Sequence, residues 1–139
     1  MNDEAKKTRC STRFVIQKHH ARTLHYDLRL QMSSILKSWA VPKGPPKKIG
    51  EKHLAILTED HPLSYAKFEG VIPEGHYGAG KVEIWDSGYY RNLKKESMAR
   101  CFKEGVIEFE LKGDRLKGRY AIIHFKEKNW LFTKLRMKR

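Results

Sequence analysis

The chain has 139 residues, with 29 Lys and Arg against 16 Asp and Glu, for a net charge of +13. That length holds one domain with a real core and not two. The basic excess, with a pI near 9.8, is spread along the whole sequence rather than gathered in a tail. It therefore points to a folded surface that faces a polyanion, above all nucleic acid. No apolar run has the length of a membrane span, and the polar N-terminus carries no signal-peptide core. Cys10 and Cys101 are far apart and lack CxxC spacing. This excludes a zinc knuckle or a disulfide scaffold and fits a reducing, cytoplasmic setting.

Residues 1–12 read as a polar arm, from which Arg9, with Arg13 just beyond it, can reach a phosphate. Residues 13–139 read as one domain. Its first segment, Arg13 to Gln31, splits at a period of two. Leu24, Tyr26, Leu28 and Leu30 alternate with His25, Asp27 and Arg29, and Phe14 and Ile16 alternate with Arg13, Gln17 and His19. Alternation of this kind marks half-buried strands, here joined as a hairpin. The register that pairs apolar with apolar sets His19 opposite His25, Gln17 opposite Asp27, Ile16 opposite Leu28 and Phe14 opposite Leu30. Opposed Cβ atoms then lie about 5 Å apart. Two imidazoles and a carboxylate can converge on one divalent cation, with Arg29 beside it to hold an anion.

Residues 34–41 form the next predicted strand, ended by Pro42-Lys43-Gly44-Pro45-Pro46, because successive prolines cannot continue a ladder. Lys43 is held in that stiff turn. Residues 53–59 read as a buried strand, followed by Asp60-His61-Pro62-Leu63-Ser64-Tyr65. Pro62 keeps His61 extended, and His61 and Tyr65 stand where strand ends carry function. The glycine-rich stretch 68–80, with Glu74 and His76, lacks the GxGxxG order and a following helix, so it is no dinucleotide loop. A strand is expected over 81–85, a helix over 92–104 closed by Gly105, a hairpin of 106–111 with 116–125, and a last strand over 130–135. The expected fold is mainly antiparallel β, a closed or nearly closed barrel with one short helix.

Two other functions fit parts of this pattern. His25-x-Asp27 with a distant His61 or His124 has the HxD…H spacing of an iron oxygenase triad. Trp39, Trp85, Tyr89 and Tyr90 could instead serve as stacking platforms of a non-catalytic nucleic-acid-binding barrel.

The blocks QKHHARTLHYDLRL, LKSWAVPKGP, EDHPLSYAKFEGVIPEGHYGAG and LKGRYAIIHF…WLFTK resemble the 3′-phosphoesterase domain of bacterial DNA ligase D and its stand-alone relatives. The likeness runs from about Arg13 to Lys134. It implies a manganese-dependent enzyme, with other divalent transition metals possible, that heals 3′ ends on primer–template nucleic acid. Such an enzyme removes a terminal ribonucleoside to leave a 3′-phosphate, then removes that phosphate. By this resemblance His19, His25 and Asp27 match metal-binding positions, and Arg29, His61 and Tyr65 match positions that hold and activate the scissile phosphate. Lys43 assists from its turn, and Gln17 and Arg13 join the same face. Three departures stand out: His20 where aspartate is common, His53 where an arginine that contacts phosphate is usual, and a short N-terminal run. A free-standing monomer is expected, with a separately encoded ligase or polymerase as a possible partner and no membrane association.

Overall fold

The computed structural model of the protein describes residues 12–137. Ten strands form one sheet: β1 (Thr12–His20), β2 (Leu24–Met32), β3 (Ile35–Val41), β4 (Lys52–Leu57), β5 (His61–Pro62), β6 (Gly70–Ile72), β7 (Gly80–Asn92), β8 (Val106–Gly113), β9 (Lys117–Lys126) and β10 (Asn129–Lys134). The order β1-β2-β3-β4-β10-β9-β8-β7 closes on itself where β7 pairs with β1, so eight antiparallel strands make a closed barrel. Closure removes the exposed edges that an open sheet would present. β5 and β6 lie off this ring, against β3 and β7.

The predicted β1–β2 register is the observed one: His19 faces His25, Gln17 faces Asp27, Ile16 faces Leu28 and Phe14 faces Leu30. Phe14, Ile16, Leu28 and Leu30 enter the main core with Trp39, Phe109, Tyr120, Trp130 and Phe132. The opposite face of the same strands is not solvated, contrary to a simple amphipathic reading. Val15 packs there with Leu36 and Ala66 in a second, smaller cluster. Ala66 belongs to a short 3₁₀ turn, Leu63–Lys67, which follows β5. The excursion between β4 and β7 therefore covers the outside of β1–β3.

Two elements differ markedly in length from expectation, and β5 and β6 lie where no strand is expected. The strand predicted over 81–85 runs on to Asn92 and serves three neighbours, β1 along one edge and β6 and then β8 along the other. Asp-Ser-Gly at 86–88 does not break it. Asp86 is buried and accepts from the backbone N–H groups of Ser87, Asp114, Arg115 and Leu116 at 2.8–3.1 Å. Gly88 is needed because a Cβ there would lie 2.2 Å from the Lys112 carbonyl oxygen. The helix, α1, is correspondingly shorter, Met98–Glu104 instead of 92–104. Ser97 caps it by accepting from Arg100 N–H, and Gly105 ends it in the left-handed region at φ 85°. Asn92 instead organises the preceding turn through the Glu96 carbonyl and the Lys94 N–H. Met98, Cys101 and Phe102 of α1 join the main core. Arg9 and Cys10 lie outside the described residues.

Candidate metal and phosphate site

The outer face of β1 and β2 supplies the centre of the site. His19 Nδ1 and His25 Nε2 are 3.2 Å apart. Asp27 completes the triangle, 3.2 Å from His25 Nε2 and 3.5 Å from His19 Nδ1. The remaining ring nitrogens are bound to groups that can only accept: His19 Nε2–H donates to the Gly78 carbonyl at 2.8 Å, and His25 Nδ1–H to the Thr23 carbonyl at 3.3 Å. Each imidazole therefore turns a lone pair inward, towards the other and towards a carboxylate. Three facing acceptors repel unless a proton or a cation lies between them, and outer carbonyl partners are how metal-binding histidines are held. These three residues are a possible metal-binding triad and fit a metal-dependent enzyme. His20, one residue along, points to the other side and pairs with Glu83 at 2.6 Å.

The protonation of this cluster follows from its neighbours. Burial pushes the Asp27 carboxyl up, but the hydrogen bond from His25 and the charge of Arg29 outweigh it and bring it below its ordinary value. The same hydrogen bond raises His25 above its ordinary value, against the opposing effect of burial.

Arg29 lies next along β2 and is only 4 % exposed. Its Nε donates to Gln17 at 2.6 Å, its Nη1 to Ser38 at 2.9 Å, and its Nη2 reaches Asp27 at a long 3.5 Å. The guanidinium also sits over the Tyr65 ring, 4.9 Å from its centroid. Burial pulls its pKa down and Asp27 offsets part of that fall. Only the Nη2 end retains capacity for an anion, so the fully open two-pronged fork that an exposed arginine offers is not present. Gln17 explains the position. It is fully buried, and its Nε2 donates to the carbonyls of Tyr65 and Phe68 at 2.9 and 3.2 Å. With its Oε1 taken by Arg29, Gln17 has nothing left for substrate. It is a positioning residue that ties the covering segment to the arginine.

That segment delivers His61 and Tyr65. His61 Nδ1 lies 3.1 Å from Arg29 Nη1 and 3.1 Å from the Glu59 carbonyl. One nitrogen cannot accept from the first and donate to the second, and accepting from Arg29 leaves the ring proton on Nε2. Partial burial, then the Arg29 charge, lower the His61 pKa. Burial raises that of Tyr65, whose ring stacks on Phe68 with centroids 5.0 Å apart.

Together these residues line a pocket of about 340 Å³ that holds His19, His25, Asp27, Arg29, His61 and Tyr65. The other candidates lie elsewhere. Lys43 is exposed in its turn and does not line the pocket. His53 braces that turn, with Nδ1–H donating to the Gly44 carbonyl at 2.6 Å and Nε2 beside Glu51 at 3.5 Å. It does not line the pocket. Arg13 is exposed and lies over the Tyr89 ring, 5.7 Å from its centroid.

Neither alternative pattern forms. His124 bonds the Glu127 carbonyl and packs by Trp130, away from the pocket, and His61 faces a guanidinium rather than the triad. Trp39 and Tyr90 are buried in the core. Trp85 is taken by Tyr26 and Arg115, and Tyr89 by Arg13. Sequence reasoning missed Ser38, the Gly78 carbonyl and Tyr77, which also lines the pocket. Ser38 was within reach of it, since it pairs with Arg29 across β2–β3. A backbone carbonyl leaves no such mark.

Residues 17–124 match the family model described as the DNA ligase D 3′-phosphoesterase domain. A multifunctional non-homologous end joining DNA repair protein LigD of Mycobacterium tuberculosis is 52 % identical over 123 residues, 88 % of this chain and 16 % of that protein. The LigD proteins of Mycolicibacterium smegmatis and Pseudomonas aeruginosa are 47 % and 46 % identical, over 96 % and 88 % of this chain and 18 % and 15 % of theirs. The chain thus spans less than a fifth of the length of these relatives. Among the described residues, no helix is long and apolar enough to cross a membrane. A match over most of the chain, on a barrel that presents a possible metal-binding triad beside a buried arginine, makes this protein a member of the DNA ligase D 3′-phosphoesterase domain family.

Proposed function

We propose that the protein is a metal-dependent 3′-end-healing phosphoesterase. It removes a 3′-terminal ribonucleoside from a primer strand, as a phosphodiesterase, and then the resulting 3′-phosphate, as a phosphomonoesterase. The observation that carries this reading is the convergence of three cation-seeking lone pairs and one buried guanidinium on a single pocket. That pairing suits a phosphate whose oxygens are shared between a cation and an arginine. Two imidazoles and a carboxylate suit Mn²⁺ and related divalent transition ions. Such an ion, held by His19, His25 and Asp27, would supply Lewis-acid polarisation of the phosphate.

The protein's own groups divide the remaining work. Arg29 holds the phosphate by its Nη2 end, fixed from behind by Gln17 and Ser38. Charge that grows on the phosphate oxygens in the transition state meets a donor already in place, which needs no reorganisation. His61, with its ring proton on Nε2, directs that N–H as a hydrogen-bond donor to the leaving oxygen, which is the 5′ oxygen of the ribonucleoside in the diester step and the 3′ oxygen in the monoester step. Tyr65 presents its hydroxyl from the same wall. The nucleophile in this reading is water; no serine or cysteine is among the pocket-lining residues. The +13 charge draws the nucleic acid to the surface, and a ligase or polymerase would take the healed end.

The test is an end-labelled primer–template with a single terminal ribonucleotide, incubated with Mn²⁺. The expected products are a strand one nucleoside shorter with a 3′-phosphate, then a 3′-hydroxyl. Each of His25→Ala, Asp27→Ala, Arg29→Ala and His61→Ala should lower the rate by about 10³-fold or more. Near-normal trimming by His25→Ala would refute the metal assignment.

A further inference from the structure

We infer that Tyr77 is a stacking platform for the nucleobase of the nucleotide whose 3′ oxygen carries the reacting phosphate. The inference rests on the phosphoesterase reading above and deepens it. Tyr77 lines the same pocket as the triad and Arg29, yet it is 81 % exposed. The ring therefore offers an open aromatic face at the mouth of the pocket. It makes no ring contact or hydrogen bond with another described residue, whereas Tyr65, which lines the same pocket, is already covered by Phe68 and Arg29.

The backbone that carries the ring is braced. The loop that carries it is built from two consecutive turns, with His76 N–H donating to Pro73 at 3.3 Å and Ala79 N–H to His76 at 3.1 Å. Gly75 and Gly78 adopt φ of 87° and 77°, which the turns need and other residues resist. The loop is then tied to the site itself, because the Gly78 carbonyl accepts from His19. Tyr77 is thus one residue from a group that orients a triad imidazole. An open aromatic face on a braced loop beside a phosphate site fits a base, since every base has a π-face and stacking is tolerant of sequence. The nucleotide bearing the phosphate on its 3′ oxygen is common to the diester and the monoester substrate, whereas the leaving nucleoside belongs to the diester alone.

The experiment uses the full chain and a recessed end with a 3′-phosphate in two forms. One carries 2-aminopurine in the nucleotide that bears the phosphate, and the other is abasic at that position. In a chelator, without turnover, wild-type protein should quench the 2-aminopurine on binding. Tyr77→Phe should keep the quench and Tyr77→Ala should lose it. In Mn²⁺, Tyr77→Ala should lower kcat/KM about tenfold on the base-bearing end, carried mainly by KM, and by less than about twofold on the abasic end. An equal loss on both ends, or a loss in Tyr77→Phe as large as in Tyr77→Ala, would overturn the platform. Wild-type protein that never releases phosphate would instead sink the phosphoesterase reading, and the chelated binding measurement would still decide the platform.

Discussion

Arg29 is the residue on which the pocket is most tightly built. Lysine in its place would keep one positive charge but lose the Nε and Nη1 donors that hold Gln17 and Ser38. Arg29→Lys should therefore fall about 10²-fold or more in kcat while remaining folded by circular dichroism. Gln17→Ala should act through the same contact and also free two carbonyls of the covering segment. We expect it to destabilise the protein by about 3 kcal/mol in urea unfolding, since buried partners are left unsatisfied. His61 gives a pH signature. Its folded pKa lies below the ordinary 6.5, so the unfolded chain takes up the proton first as pH falls. The stability it contributes is present above pH 6.5 and is lost as pH drops through 6.5 towards the folded value. In chelator-treated protein, His61→Asn should flatten the fall in Tm over that window relative to wild type. An unchanged slope would place the proton elsewhere.

The connection between β8 and β9 shows how one side chain can hold a whole element. Asp86, on β7, gathers the N–H groups of Asp114, Arg115 and Leu116, and Arg115 then lies over Trp85 at 4.9 Å. A carboxylate that accepts several backbone N–H groups makes charge-assisted bonds. Removing it exposes those donors, some of them to water at the surface. Asp86→Ala should cost about 2 kcal/mol and speed amide exchange at 114–116, with little change in the rate of a small phosphoester substrate. Protection that stays intact would mean the turn holds without its carboxylate. The β1–β2 hairpin works the other way round. Its inner face is secured by the barrel core and its outer face by the covering segment, so a slip of one residue would bury charge on both sides.

At the scale of the molecule, the basic surface and the site should be separable. Nucleic-acid affinity should fall as salt rises, linearly on logarithmic axes, because binding releases counterions from the phosphates. We expect a loss of tenfold or more between about 50 and 200 mM salt. The steepness should survive His25→Ala, which leaves the surface intact. A divalent transition ion should raise Tm of the wild-type protein and not of His25→Ala, since only the folded state assembles the three ligands. That rise should weaken at low pH, because Asp27 strengthens the hold of a proton on His25 and the proton competes with the ion.

Much of the triad was readable without coordinates. His19, His25 and Asp27 lie within nine residues on a hairpin whose period-two pattern admits one register, and local pleat geometry does the rest. The strand-rich plan and the Gly105 cap were legible for the same reason: each depends on neighbours in the chain. The length of β7 was not, because Asp86 and Gly88 answer to residues near 112–116 rather than to their own neighbours. Nor was the burial of the polar face. Whether Gln17 and Arg29 meet water, substrate or each other depends on residues 58–79 folding back over β1–β3, and alternation cannot show what will cover a face. His53 and Lys43 showed the converse, with chemistry suited to phosphate at positions that the closed barrel keeps away from the pocket.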